Sequence, residues 1–240
     1  MSKHHYDILI LGESLTARLA GALLAKAGRR LLTFADRVES PPAWLGNSLY
    51  MRQILDLLGG RHQLAPAPRL QILCGQTRLE LHGCYPLEEE LQREFPSCHE
   101  QLHQLLQWLK TRGETLEQQL WESAGPPLFG FVGELRLGAR LLLRRSGYRS
   151  LRQPLHRFLQ EIQDLEARRW LDTLFSGLAL QPARNLTLAE GALLWNNLSQ
   201  TQAIAESSFR ELLEQRYQQF HGRLESPDVI EQLTNAQSLR

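Results

Sequence analysis

Lysine is scarce in this chain: only Lys3, Lys26 and Lys110 are present, and arginine carries nearly all of the positive charge. Arginine suits planar, bidentate contacts. A field of one sign is lacking too, because the formal net charge is +1, and that excludes a global electrostatic draw toward nucleic acid or anionic membrane. The three cysteines, Cys74, Cys84 and Cys98, are an odd number with no C-x-x-C spacing, so neither a disulfide framework nor a cysteine zinc site follows. No stretch approaches the roughly 18 consecutive apolar residues of a membrane span, and the apolar run in MSKHHYDILIL is too short for a secretory signal. The expected location is the cytoplasm. Internal repeats and low-complexity tracts are also missing.

With 240 residues, 42% of them hydrophobic, the chain can bury a sizeable core in one or two domains. Its opening, YDILILGESLTARLAGALLAKAGRRLLTFADR from Tyr6 to Arg37, reads as strand, tight turn, helix and strand. The apolar run Ile8 to Leu11 meets Gly12, helical spacing follows up to Gly28, and a second apolar run covers Leu31 to Phe34. In a G-x-G-x-x-G turn, small residues let a pyrophosphate approach the backbone at a helix N-terminus. The three positions are Gly12, Ser14 and Ala17 here.

Beyond Phe34 a Pro-rich loop precedes a helix over about Leu49 to Leu58, stopped by Gly59-Gly60. Alternation on both sides of Gly75-Gln76 predicts a β-hairpin from Leu70 to Leu81. Helical periodicity begins at Leu87, with Leu102, Leu105, Leu106, Leu109, Leu116 and Leu120 on one stripe, and Glu88, Glu89 and Glu90 complement a helix N-terminus. Gly125-Pro126-Pro127 ends that stripe. Further helices are predicted at Leu135 to Arg145, Gln153 to Leu165, Ala167 to Leu178 and Leu188 to Leu198, the last opened by a Thr187/Glu190 capping box. A second capping box, Ser208/Glu211, predicts a helix to about Phe220 closed by Gly222, and then a strand centred on Val229-Ile230.

The N-terminal unit, the LQILCGQTRLEL hairpin, the LEEELQREFP helix, the helical middle and the closing SSFRELLEQRYQQFHGRLESPDVIEQL together resemble the first half of phytoene-desaturase-like flavoproteins, in the wider FAD-dependent amine-oxidase class. The resemblance spans nearly the whole chain. It implies an α/β fold: a Rossmann-like FAD/NAD(P)-binding βαβ unit with a large, mainly helical insertion and a small β-hairpin. Residues 1–62 would begin the dinucleotide-binding domain, 63–205 would form the hairpin and a helical substrate or cap domain, and 206–240 would return to the first. Gly12, Glu13, Ser14, Leu15 and Ala17 fall on the implied pyrophosphate turn, Asp36 is the acid nearest the ribose position, and Val229 falls on the adenine strand. FAD is the implied cofactor, and a second polypeptide completing the flavoprotein fold is the implied partner. The implied function is the FAD-binding portion of a desaturase- or dehydrogenase-like oxidoreductase for a lipophilic substrate, not catalytic alone. Flavin accepts the hydride in such chemistry, so no catalytic side chain is assigned.

The chain departs from that family in three places. Ala35 stands where the ribose-binding Glu belongs, RVESPPAWLGN supplies no glycine pair, and no Gly-Asp dipeptide occurs. These departures leave open a second class of function, a cofactor-free relative serving as an interaction module. A third reading is a zinc hydrolase, since HEQLH matches H-E-x-x-H with His99 and His103 one helical turn apart, but no third ligand is apparent. Finally, the segment from Arg136 to Arg157 sets arginines among leucines, as in an amphipathic helix resting on an anionic bilayer, or simply in a solvated helix face. No aromatic residues are interleaved before Tyr148 for single-stranded nucleic acid to stack on, and no nucleic-acid partner is expected.

Overall fold

A computed structural model describes residues 6–34, 45–59, 64–124 and 151–225 of the chain. The architecture is mixed α/β. Strand β1 (Ile8–Leu11) leads through a turn into helix α1 (Leu15–Lys26) and then into β2 (Leu31–Phe34), which pairs in parallel with β1 from Ile8↔Leu31 to Leu11↔Phe34. Gly28 makes the return possible. Its φ of +78° lies in the left-handed region, and its N–H closes on the Ala25 carbonyl at 2.9 Å.

The rest of the chain runs through α2 (Leu49–Leu58), β3 (Leu64–Pro66), the hairpin β4 (Leu70–Cys74) and β5 (Thr77–Leu81), α3 (Leu87–Glu94) and α4 (His99–Ala124). It resumes with α5 (Leu155–Leu159), α6 (Leu165–Ala179), a 3-10 turn (Ala183–Asn185), α7 (Leu188–Leu198), β6 (Gln202–Ile204), α8 (Glu206–Gln219) and β7 (Arg223–Glu225). Strand β7 pairs in parallel with β2, so the sheet order is β1-β2-β7. Helices α1 and α8 pack side by side, and the buried residues Ala22, Leu23, Phe209 and Leu213 belong to one core there. That places both helices on the same face of the sheet.

A second, larger core gathers the hairpin and helices α3 to α7 around Trp170, Trp195, Phe95 and Phe175. Within it α4 and α7 approach each other backbone to backbone at Gly113. A Cβ on Gly113 of α4 would stand 2.4 Å from the Ala192 carbonyl of α7. The two cores are tied by β3 and β6, an antiparallel pair running from Leu64↔Ile204 to Pro66↔Gln202. Beside it, Asn197 Oδ1 accepts from the Gly46 N–H at 3.0 Å. Among the described residues, no helix is long and apolar enough to cross a membrane.

Several predicted elements form as expected: α2 over Leu49–Leu58, the hairpin within Leu70–Leu81, and α7 with a complete Thr187/Glu190 capping box. Others differ for local reasons. The helix predicted from Gln153 to Leu165 spans only Leu155–Leu159, because Pro154 sets its start and Glu161 and Ile162 close i→i+3 turns. Asp164 then caps α6, accepting from the Glu166 and Ala167 N–H groups at 2.9 and 3.0 Å, and these bonds hold its carboxyl below the ordinary value. The Ser208/Glu211 capping box is not used, since α8 starts three residues earlier, with Ala205 at the N-cap position, and Ser208 lies inside its first turn. Gly222 does not close α8 through a left-handed φ; His221 takes that conformation at +64°. Glycine is needed at 222 for space, as a Cβ there would meet the Tyr217 ring at 2.4 Å. Among the described residues the last strand is Arg223–Glu225, ahead of the predicted centre; Val229 and Ile230 lie outside the described residues, as does the helix predicted at Leu135 to Arg145.

Two helix glycines separate packing from propensity. Gly113→Ala should cost about 1–3 kcal/mol, because a backbone carbonyl cannot step aside. Gly177→Ala in α6, where an added Cβ meets nothing within 4 Å, should stabilise by roughly 0.5–1 kcal/mol through helix propensity. Urea denaturation of both variants measures this, and equal effects of the two would contradict the close α4–α7 approach.

Candidate functional site

The turn between β1 and α1 is built from backbone needs. Gly12 adopts φ +100°, its N–H donates to the Phe34 carbonyl at 2.9 Å, and among the described residues nothing comes within 4 Å of where its Cβ would stand. Ser14 is the N-cap of α1, its Oγ accepting from the Ala17 N–H at 3.2 Å. The first intrahelical bond runs from the Arg18 N–H to the Ser14 carbonyl, so the N–H groups of Leu15 and Thr16 have no partner inside the helix. The Ser14 hydroxyl accepts from the backbone and keeps its own proton to give outward.

Glu13 would repel an anion at this turn if its carboxylate faced it. It does not stand alone. Arg18 lies 3.4 Å from the Glu13 carboxylate and 3.7 Å from Glu214 of α8, and its Nε donates to the Glu13 carbonyl at 3.3 Å. One guanidinium therefore offsets the acid of the turn and joins α1 to α8. Leu15 faces inward against the core that holds Ile54 and Leu55. Gly12, Glu13, Ser14, Leu15 and Ala17 thus share one turn, whereas Asp36 and Val229 lie outside the described residues.

A cleft of about 160 Å³ opens beside the turn, between α1 and α8, reaching from Glu13 and Ala17 past Gly21 to Gly222. Tyr217 and Thr33 form its inner wall. The Tyr217 hydroxyl donates to the Arg223 carbonyl at 2.8 Å and is 2.8 Å from the Thr33 hydroxyl. Burial pushes the phenol above its ordinary value. Arg18, Thr33, Glu214 and Tyr217 were not singled out in the sequence. Arg18 stands one residue past the glycine motif, but the pairing of residues about 180 positions apart leaves no local signal.

Of the other candidates, His99 and His103 both lie in the first turns of α4, where the His99 ring bonds the Pro96 carbonyl at 3.2 Å. Among the described residues, no group of three or more His, Cys, Asp and Glu side chains is gathered as a metal would require. The zinc reading therefore gains no third ligand. Of the Arg136 to Arg157 stripe, only Arg152 and Arg157 fall within the described residues, and both are exposed.

A second polar centre lies where α4 meets α2. Glu117 is 7% exposed; it accepts from the Tyr50 N–H at 3.4 Å and from the Ser48 hydroxyl, with Asn196 of α7 against it. Burial outweighs these donors and pushes its carboxyl up. Burial also raises Tyr50, with the Glu117 charge adding to it, and the Tyr50 ring meets Trp121 edge-on at 5.6 Å.

A carboxyl whose pKa is raised by folding binds its proton more tightly in the native state, so stability falls as pH rises from the ordinary value of 4.5 through the raised one. Glu117→Gln should flatten that fall. Urea midpoints of the parent and the variant, taken from about pH 4 to about pH 8, should converge at the acid end and separate toward neutrality, the variant being the more stable. Parallel curves would refute this. No family model matches the sequence and no curated protein matches it, so the geometry of the turn and its cleft is the ground on which function is argued.

Proposed function

We propose that the chain is the nucleotide-binding portion of an FAD-dependent oxidoreductase of the phytoene-desaturase-like class, with a Rossmann-like β1-α1-β2 unit holding the pyrophosphate. The observation that carries this reading is the Gly12 turn. It ends a parallel strand, leaves open space where a side chain would stand, and aims the Leu15 and Thr16 N–H groups and the Ser14 hydroxyl outward from a helix N-terminus. The sheet order β1-β2-β7, with α1 and α8 on one face, is that of half a doubly wound sheet. Bound FAD would supply hydride acceptance; this chain's residues would hold its pyrophosphate and offset the charge of Glu13 through Arg18.

The same geometry supports a partner. Among the described strands β1 is an edge, its sequence ILIL carries no charge or proline to blunt it, and Leu9 and Leu11 are 59% and 73% exposed on the face away from α1. A second polypeptide pairing a strand with β1 and laying a helix across that face would cover them and bring the flavin side of the cofactor site. This exposed edge equally suits the cofactor-free reading, in which the chain acts through that contact alone.

Calorimetry separates the two. On the flavoprotein reading ADP and FAD bind the isolated chain with similar affinity, FMN hardly binds, and Gly12→Val abolishes binding by filling the space at the turn and straining a positive φ. Undetectable ADP and FAD binding would leave the interaction module. FMN binding as tight as that of FAD would overturn the pyrophosphate site.

A further inference from the structure

We propose that the cleft between α5 and α6 binds a small organic oxyanion, a carboxylate or phosphate group carried on a ring-sized body. The cleft opens in the helical lobe, where the end of β4 meets both helices, and shares no lining residue with the one beside the Gly12 turn. It holds about 470 Å³, within the roughly 300–1,000 Å³ of small-molecule sites and well above the ~150 Å³ that accommodates one benzene ring. An inorganic ion would leave most of that space empty. Leu159, only 2% exposed, and Cys74 supply less polar surface for the rest of a guest.

The charges in the cleft call for an anion. Arg168, Arg169 and Asp172 line it, two guanidiniums against one carboxylate, so the three keep a net charge of +1. Asp172 stands four and three residues beyond the two arginines on α6, the spacing at which helical ion pairs form, yet among the described residues none of the three makes one. Arg168 is nonetheless held in place. Its Nε and one terminal nitrogen donate to the Ile162 carbonyl at 3.2 and 2.5 Å, which leaves the other terminal nitrogen unspent. A guanidinium fixed in advance loses little freedom when a ligand arrives. The Arg169 side chain makes no hydrogen bond among the described residues, so both arginines have donors to give to one oxyanion.

The thiol of Cys74 belongs to the same cleft. Thr173 gives its one hydroxyl proton to the Arg169 carbonyl at 2.9 Å, and its oxygen lies 3.5 Å from Cys74 Sγ. That contact keeps the half-buried thiol against α6, where a guest seated on the arginines covers it. Its reactivity thus reports occupancy of the site itself. The proposal stands on this cleft and needs no pyrophosphate at the Gly12 turn, so it holds or fails independently of the flavoprotein reading.

Phenyl phosphate and benzoate are the probes, with inorganic phosphate and benzyl alcohol carrying the anion and the ring separately. Ligand-observed NMR titrations of the full chain at neutral pH should give millimolar binding of at least one ring oxyanion, with phosphate and benzyl alcohol about fivefold weaker or worse. The tighter of the two ring oxyanions names the group. Arg169→Gln should weaken that probe about fivefold and Asp172→Asn should tighten it, whereas Arg52→Gln, the same charge change at an exposed position of α2, should leave it within about twofold. Arg169 is exposed and bonds nothing through its side chain, and near-UV circular dichroism checks that its replacement keeps the packing. The bound probe should also slow alkylation of Cys74 by iodoacetamide, followed by mass spectrometry, while the exposed Cys84 reacts as before. No binding of either ring oxyanion, equally tight binding of phosphate or benzyl alcohol, equal losses in Arg169→Gln and Arg52→Gln, or binding that leaves Cys74 unprotected would each overturn the proposal.

Discussion

The phenol of Tyr217 donates to the Arg223 carbonyl and accepts from the Thr33 hydroxyl, each at 2.8 Å, so one side chain pins α8, β2 and β7 together. Each bond contributes on the order of 1 kcal/mol, but their position matters more than their sum. The ring lies between Gly21 of α1 and Gly222 ahead of β7, and neither position tolerates a Cβ without movement. This contact sets the distance between α1 and α8. It also fixes how α1 meets the sheet, and with it the direction in which the helix N-terminus points at the Gly12 turn. Burial keeps the phenol protonated, so the bond chain keeps its direction.

The seam between the two cores works differently. Strands β3 and β6 carry the chain out of the first core and back into it, and around them polar groups are spent on joining rather than filling. Asn197 holds the Gly46 amide, Arg216 of α8 reaches the Leu58 and Gly59 carbonyls at 2.7 Å each, and Glu117 accepts from the start of α2. The helical core thus grips α2 by its N-terminus while α8 grips it by its C-terminus.

What the sequence made legible follows from how local each cause is. Gly59 at φ +66° stops α2 where the glycine pair stands, and the Thr187 and Glu190 side chains bond each other's backbone three residues apart. Such causes lie within a few positions of their effects. The strand β1, the turn at Gly12 and the helix α1 were legible for the same reason. By contrast, β3 and β6 are three-residue strands whose pairing spans about 140 positions, and nothing in LAP or QAI distinguishes them from loop. Gly222 was visible as a glycine, but its reason, the ring of Tyr217, is a matter of tertiary space. Arg18 and Glu214 likewise meet only once α1 and α8 are side by side. The turn could be read from sequence; the charge arrangement and the cleft beside it could not.

The pairing of β2 with β7 has a consequence for the birth of the molecule. Residues 32–34 leave the ribosome about 190 positions ahead of their partners at 223–225. Until then α1 lacks α8, and the apolar surface around Ala22 and Leu23 has no cover from Phe209 or Leu213. The helical core, whose contacts all fall between residues 70 and 198, can close while the N-terminal strands still wait. The β1-β2 pair therefore meets its third strand only after the whole helical core has emerged. Until β7 and α8 emerge, the free edge of β2 and the apolar side of α1 are surfaces of the kind that favour association between incomplete chains.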